Sequence, residues 1–256
     1  MEEGINQAIN VEHLSKFYNG LPAVENVSIS VERGTVFGLL GANGAGKSTT
    51  IECILGTKKP DSGTVSVLGM NPLAARKRLF ERVGVQFQEA NYQDKITVGE
   101  LCEVTQSLYE KTVNYQDLLK KFGIFGKVKN LVSDLSGGQR QRLFIILALI
   151  PDPEIVFLDE LTTGLDAKAR RDVWKSLADL KAKGLTILIT SHFMDEVEAL
   201  CDSICILKNG RIVFYGTVHE AVASSPFDKF EDAYLWYTNE EGNQEGNDNE
   251  NILDNA

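Results

Sequence analysis

A single octapeptide constrains the fold of this chain more than any other segment. Residues 41–48 read Gly-Ala-Asn-Gly-Ala-Gly-Lys-Ser and match the pattern G-x-x-x-x-G-K-[ST] in full. The octapeptide follows the apolar run 35–40, which is typical of a buried strand, and precedes a helical pattern at 49–55. Its glycines allow backbone N–H groups to face a polyphosphate, and a helix that starts there adds its N-terminal partial positive charge. The octapeptide therefore predicts a strand, a phosphate-binding loop and a helix, in that order.

Six residues of this segment are expected to contact the nucleotide: Asn43, Gly44, Gly46, Lys47, Ser48 and Thr49. The Lys47 ammonium group suits the β and γ phosphates, and the Ser48 hydroxyl suits a Mg²⁺ ion bound with them. The loop alone predicts only a nucleoside triphosphate site, because kinases, GTPases and many motor proteins share it.

The remainder of the chain indicates a largely parallel sheet covered by helices. Buried strands are predicted from short apolar runs at 35–40, 155–158 and 185–189. Half-buried strands are predicted from alternation at 27–31 and 64–67. An amphipathic helix at 167–183 has Asp166 as its cap, and Asn209-Gly210 predicts a tight hairpin near the end of the chain. Buried strands that alternate with helices favour an α/β fold.

The middle of the chain predicts a helical insertion into this α/β core. Thr97 and Glu100 have the spacing of a capping box ahead of an apolar helix face. Asn114 is a candidate cap for a second helix, which Gly123 would end, and Ser136 is a candidate cap for a third.

The segment Leu135-Ser136-Gly137-Gly138-Gln139 narrows the class of nucleotide-binding protein. A Ser cap followed by two glycines exposes the first backbone N–H groups of a helix, which creates a second anion site on the chain. One nucleotide cannot use both sites easily, because the loop with Lys47 already surrounds its phosphates. We therefore expect two copies to associate head to tail, with Ser136, Gly138 and Gln139 of each copy contacting the nucleotide of the other.

This LSGGQ segment resembles the signature sequence of ABC ATPases, and it follows the phosphate loop in the order found in that family. The resemblance covers about residues 9–216. It implies a P-loop NTPase core with a parallel sheet, an N-terminal antiparallel β subdomain and an inserted helical subdomain. We expect the ATPase domain to span residues 1–230, with the helical subdomain at about 91–150, and an acidic, disordered tail to span residues 231–256.

The resemblance also assigns roles to residues outside the two loops. The segment ending in Asp159-Glu160 resembles a Walker B strand, which implies that Asp159 supports Mg²⁺ and that Glu160 is the general base for the attacking water. Gln88 resembles the glutamine that reaches the Mg²⁺ or water site, and His192 resembles the switch histidine that contacts the γ-phosphate. Asp166 lies in a segment similar to the loop that crosses between two subunits, which implies that it also contributes to nucleotide binding.

Tyr18 matches the aromatic residue that stacks on adenine, although Phe17 is adjacent and core packing is the alternative for Tyr18. Two positions depart from the family. Leu161 follows Glu160 where most members have Pro, and Ala167 stands where Pro is frequent. Members similar to drug exporters also carry Leu at the first position, and the residues with assigned chemistry are all present, so we expect an active enzyme.

Composition limits the partners. The formal net charge is −10, and residues 239–256 contain six acidic residues with no Lys or Arg. A nucleic-acid partner is not expected, because phosphate binding needs a basic surface. The four cysteines are scattered without the paired spacing of a zinc site, which favours reduced, buried thiols. The longest apolar run, 143–150, is too short to span a membrane, and the N-terminus does not resemble a secretory signal.

These observations together predict the ATP-hydrolysing motor subunit of an ABC transporter. We expect it in the cytoplasm, bound peripherally to the inner face of the cell membrane through a separate integral membrane subunit. The segments around the phosphate loop and around residues 159–174 look like the branch that exports drugs, peptides or lipids. The alternative is an ABC ATPase that serves translation or DNA repair, although such proteins usually carry two cassettes or a long coiled coil. A GTPase or kinase is disfavoured, because the chain has no Asn-Lys-x-Asp segment to read guanine and because the LSGGQ segment would have no role in either class.

Overall fold

The computed structural model describes residues 6–86, 92–160, 162 and 164–238. The strands are β1 Gln7–Tyr18, β2 Leu21–Glu32, β3 Val36–Leu40, β4 Ser62–Val67, β5 Val83–Gln86, β6 Ile155–Asp159, β7 Thr186–Thr190, β8 Ser203–Lys208 and β9 Arg211–Gly216. The α-helices are α1 Lys47–Ile54, α2 Arg76–Phe80, α3 Val98–Ser107, α4 Tyr115–Lys121, α5 Gly137–Leu149, α6 Ala167–Lys181, α7 Met194–Leu200, α8 Val218–Ala223 and α9 Phe230–Thr238.

The centre of the fold is a six-stranded sheet in the order β5-β6-β7-β3-β8-β9. Its first five strands are parallel, and β9 pairs antiparallel with β8. All residues of β3 and β7 are buried, as the apolar runs predict for strands covered on both faces. The β8–β9 turn has positive φ at Asn209 (49°) and Gly210 (78°), which confirms the predicted tight hairpin.

A three-stranded antiparallel sheet, ordered β2-β1-β4, packs beside the parallel sheet. Its inner face shares one apolar core with β3 and α1, in which Ile9, Phe37 and Ile54 are completely buried. The sequence predicts parts of β2 and β4 but not β1. Register shifts between β1 and its neighbours interrupt the alternation, and His13 within β1 has φ of 50°, so the period of two is lost there.

Helices α3, α4 and α5 lie between β5 and β6 and form the inserted helical subdomain. The capping boxes at Thr97 and Ser136 are both complete, and the Asn114 side chain accepts from the Gln116 N–H. Leu119, Leu143 and other buried apolar side chains join these helices into a core that continues to β6 and β7. No helix in the described part of the chain has the length and apolar composition needed to cross a bilayer.

The C-terminal end of the fold differs from the expected boundary at residue 230. Helix α9 continues to Thr238, so residues 231–238 are helical and do not belong to an acidic tail. Phe230 and Ala233 are buried, and Phe230 packs in one cluster with Leu40, the last residue of β3. The buried residues of α9 therefore pack on β3 and β8, the strands next to the phosphate loop. The remaining predicted tail lies outside the described residues.

Candidate nucleotide site

The phosphate loop connects β3 to α1, and its backbone requires glycine at particular positions. Gly41 has φ of 147°, and a Cβ atom there would lie 2.5 Å from the Leu207 carbonyl oxygen. The β8–β9 turn holds the other side of the loop, because the Gly210 N–H donates to the Ala45 carbonyl at 3.0 Å. The loop is thus packed against β8 and the β8–β9 turn. Sequence patterns around the octapeptide do not indicate these contacts.

Lys47 begins α1 and turns back over the loop. Its Nζ atom donates to the Gly41 carbonyl at 2.6 Å and to the Ala42 carbonyl at 3.1 Å. Burial lowers the pKa of Lys47, while the nearby carboxylates of Asp159 and Glu160 oppose that shift. The ammonium group therefore lies between the loop and the two acids, where a polyphosphate would meet it.

The two acids stand where β6 ends, and β7 fixes them. Thr190, the last residue of β7, is 1% exposed and pairs with Asp159 in the sheet. Its hydroxyl donates to Asp159 Oδ1 and accepts from the Glu160 N–H at 3.1 Å. Gln141 of α5 donates to the Glu160 carbonyl at 3.1 Å. Glu160 itself has φ of 50°, a strained value for a residue other than glycine, and these contacts on both sides of the residue stabilise it.

His192 follows β7 and completes this group. Its Nε2 atom lies 3.5 Å from Glu160 Oε1, and both side chains are partly exposed to the cleft. A cleft of about 410 Å³ opens between the phosphate loop and these residues. It is lined by Ala23, Asn43, Gly44, Gly46, Lys47, Ser48, Thr49, Asp159, Glu160 and His192. All of these except Ala23 are residues for which the sequence predicts a nucleotide or catalytic role.

Tyr18 lies at the end of β1, outside the residues that line the cleft, and its side chain is 41% exposed. The ammonium groups of Lys16 and Lys58 lie 5.7 Å and 5.3 Å from the centre of its ring. The pKa of Lys58 is raised by hydrogen bonding to Glu52 and then to Tyr18. The ring is accessible and is surrounded by cations.

The signature residues also lie apart from this cleft. Ser136 accepts from the Gln139 N–H at 3.3 Å, and Gln139 accepts from the Ser136 N–H at 3.2 Å. A Cβ atom at Gly138 would lie 2.9 Å from the Leu165 side chain, so glycine permits close packing of α5 against the segment before α6. Asp166 caps α6 by accepting from the Ala169 N–H at 2.8 Å. Gln88 lies outside the described residues.

Sequence reasoning missed several residues that shape the site. Thr190, Gln141 and Gly210 contact Asp159, Glu160 or the phosphate loop from β7, α5 and the β8–β9 turn. No local pattern marks these contacts, since each joins residues at least 19 positions apart in the chain.

Comparisons with known proteins agree with this geometry. The sequence profile of the family described as "ABC transporter" matches residues 24–163. The chain is 40% identical over 224 residues to Nod factor export ATP-binding protein I of Ralstonia nicotianae, covering 86% of this chain and 70% of that protein. It is 43% identical over 218 residues to the protein of the same name from Rhizobium meliloti, covering 83% and 65%. The chain thus spans about two thirds of the length of these relatives.

A solved structure described as the ATP binding subunit of an ABC transporter superposes with a TM-score of 0.82. It is 26% identical and the match covers 91% of this chain and all of that one. The mixed sheet and the antiparallel β subdomain are arranged as the resemblance implied. The chain belongs to the ABC transporter family, as an ATP-binding ATPase subunit.

Proposed function

We propose that this ATPase drives an exporter whose membrane-spanning part is a separate subunit, and that it works with Mg²⁺ as a head-to-tail dimer. One observation carries the proposal. Lys47, Glu160 and His192 share a single cleft, whereas Ser136 and its glycines lie outside it on the same chain. A second copy supplies the missing side of the nucleotide site.

Hydrolysis depends on how Glu160 is held. Its backbone N–H and carbonyl have fixed partners on Thr190 and Gln141, and its carboxylate faces the cleft 3.5 Å from His192 Nε2. A carboxylate in this position accepts a proton from the water that attacks the γ-phosphate, and His192 orients the carboxylate or contacts that phosphate. Lys47 stabilises the negative charge that the phosphates carry.

The residues present fit a magnesium ion. The Ser48 hydroxyl and the Asp159 carboxylate both line the cleft, and Mg²⁺ prefers oxygen ligands with several of its own waters retained. We assign Ser48 and Asp159 as the protein ligands, with Gln88 as a further contact. The bound ion would neutralise phosphate charge; the protein residues hold it and orient the water.

The N-terminal end of α5 is suited to bind the nucleotide of a second copy, which favours the proposed dimer. The Ser136–Gln139 capping box holds the helix end in place, so the N–H groups of Gly137 and Gly138 project without side chains around them. Such a helix end attracts a phosphate group through its N–H groups and its partial positive charge. Asp166 of the neighbouring segment caps α6 and lies on the exposed surface beside it.

Exposed apolar side chains on the helical subdomain favour the proposal of a membrane partner. Val104 of α3 and Leu108, the residue at the C-terminal cap of that helix, lie one helical turn apart and are 51% and 70% exposed, which is unusual for apolar side chains that face one direction. The relatives named for Nod factor export favour an exporter over the alternative role in translation or DNA repair. We place the chain on the cytoplasmic face of the cell membrane, bound to that partner.

The first test uses Glu160→Gln, which keeps the shape of the side chain but removes the base. We expect ATP turnover to fall by about 100-fold or more, as for loss of a general base, and size-exclusion chromatography with ATP and Mg²⁺ to show a stable dimer. The double variant Glu160→Gln/Ser136→Arg is the matched control and should bind ATP but remain monomeric. A dimer that persists in the double variant, or a monomer in the single one, contradicts the shared site.

A second test concerns the membrane partner. Leu108→Asp should reduce co-purification of the integral membrane subunit from the native membrane while leaving the ATPase activity of the isolated chain unchanged. Leu235→Asp on α9 is the control, because Leu235 is also exposed (47%) but lies away from the helical subdomain. Equal loss of the partner in both variants would contradict the docking surface on α3.

A further inference from the structure

A buried carboxylate close to the site has no part in the chemistry described above. Glu196 lies on α7, four residues after His192, and its exposed fraction is 0%. It is the only acidic side chain in the described part of the protein that is classed with the buried residues. A charged group is costly to bury, so its partners indicate why it is there.

One hydrogen bond and two nearby hydroxyl groups connect this carboxylate with three different segments. The Trp174 indole N–H of α6 donates to Glu196 Oε1 at 3.0 Å. The hydroxyl groups of Ser191 and Thr162 face the same carboxylate. Ser191 immediately precedes His192, and Thr162 is two residues after Glu160. The carboxylate therefore contacts both of the segments that carry the catalytic side chains.

One of these contacts is incomplete. Glu196 Oε2 and Thr162 Oγ1 are both inaccessible to solvent, and neither forms a hydrogen bond of good length and angle. Buried polar atoms without a partner are rare, because each retains the cost of its lost hydration. A small movement of the Thr162 side chain that closes a bond between these two atoms would satisfy both of them.

Helix α6 makes further contacts with the same region. The Arg170 guanidinium lies 4.3 Å from the centre of the Phe193 ring and forms an ion pair with Asp195 at 3.1 Å. Together with the Trp174–Glu196 bond, these contacts fix the segment between β7 and α7 against α6. The Ser191 side of the Glu196 carboxylate is therefore held by several contacts of α6.

We propose that Glu196 is a positioning residue for hydrolysis, which holds Ser191 and Thr162 and so sets the distance between His192 and Glu160. The bond from Thr162 to Glu196 forms when the Glu160 segment takes its hydrolytic position. Glu196 does not touch the nucleotide. The inference rests on the ATPase activity and on the role of Glu160 proposed above.

The local charges distinguish two substitutions. Burial raises the pKa of Glu196, and hydrogen bonds from Ser191, Trp174 and Thr162 together with the charge of Arg170 oppose that shift. Glu196→Gln keeps an acceptor for Trp174 and removes a charge that burial disfavours, so the fold should tolerate it. Glu196→Ala removes every partner at once and leaves the Trp174 N–H unsatisfied.

The test measures kcat, the KM for ATP and thermal unfolding in variants of the full chain. Thr162→Val removes only the hydroxyl at constant shape, and we expect kcat to fall on the order of 10-fold or more with the KM within about twofold, as misplacement of a catalytic group does. Thr162→Ser keeps the hydroxyl and should restore kcat. Glu196→Ala should likewise lower kcat and leave the KM for ATP nearly unchanged. Glu198→Gln, on the exposed side of α7, should match the wild-type chain in both quantities.

The double variant Glu196→Ala/Thr162→Val decides between positioning and a general loss of structure. If the two residues act through one bond, the double variant loses no more kcat than the more affected single variant. Multiplicative losses, or an unchanged kcat in Thr162→Val, would overturn the proposal. The Glu160→Gln variant tests the proposed function separately. If Glu160→Gln loses activity while Thr162→Val keeps it, the role of Glu160 holds and only the positioning role of Glu196 fails.

Discussion

Thr190 offers the sharpest test of how the fold positions the catalytic acids. Its single hydroxyl donates to the Asp159 carboxylate and accepts from the Glu160 N–H, and the residue is 1% exposed. Thr190→Val replaces that hydroxyl by a methyl group of similar size, so no cavity forms. A hydrogen bond to a charged group contributes about 1.5–3 kcal/mol and one to a backbone N–H about 0.5–1.5 kcal/mol. We expect the free energy of unfolding to fall by about 2–4 kcal/mol.

The same change should lower kcat, because Asp159 and Glu160 lose the contact that joins them to β7. We expect a loss on the order of 10-fold, with a smaller effect on ATP binding, which Lys47 and the loop maintain. Thr190→Ser is the control: it keeps the hydroxyl and loses one methyl group, which costs about 1 kcal/mol. Urea unfolding and steady-state ATPase assays measure both quantities. A Val variant as stable and as active as the Ser variant would refute the role of the hydroxyl.

Three further predictions concern other parts of the molecule. Tyr18→Ala should raise the KM for ATP with little change in kcat, because loss of the stacked ring weakens the binding free energy by about 1–3 kcal/mol. Tyr18→Phe should match the wild type in steady-state kinetics. Phe230→Ala should destabilise the fold by about 3–5 kcal/mol in urea unfolding, because its buried ring leaves a cavity, whereas removal of residues 239–256 should leave the unfolding midpoint unchanged. The pKa of Glu154 is lowered chiefly by its hydrogen bond with Arg82, so its ionised form stabilises the fold above the ordinary carboxyl pKa of 4.5, and this contribution is lost as the pH falls through the lowered value. Glu154→Gln should therefore flatten the acid side of a stability–pH curve, with a cost at neutral pH of at most about 1 kcal/mol because the ion pair is partly exposed.

Local signals predicted the parts of the fold that depend on neighbouring residues. The phosphate loop, the capping box at Thr97, the helix cap at Ser136 and the Asn209-Gly210 turn each involve atoms within a few residues of one another. The order of those elements along the chain was enough to indicate a parallel sheet with a helical insertion.

Contacts between distant segments could not be predicted in this way. Strand β1 escaped prediction because its register shifts interrupt the alternation that marks a half-buried strand. Helix α9 lies beyond the stretch that resembles the family, and the acidic residues that follow it at 239–256 suggested a tail that was placed too early in the chain. Thr190 and Glu196 have no motif; their roles follow only from the strands and helices that the fold brings together.

The crystal structure of the Glu160→Gln variant with ATP and Mg²⁺ tests the central claim most directly. Our account predicts a dimer in which Ser136 of one copy lies within hydrogen-bonding distance, about 3 Å, of the γ-phosphate held by Lys47 of the other. A nucleotide that contacts residues of one copy alone, with Ser136 exposed to solvent, would contradict it.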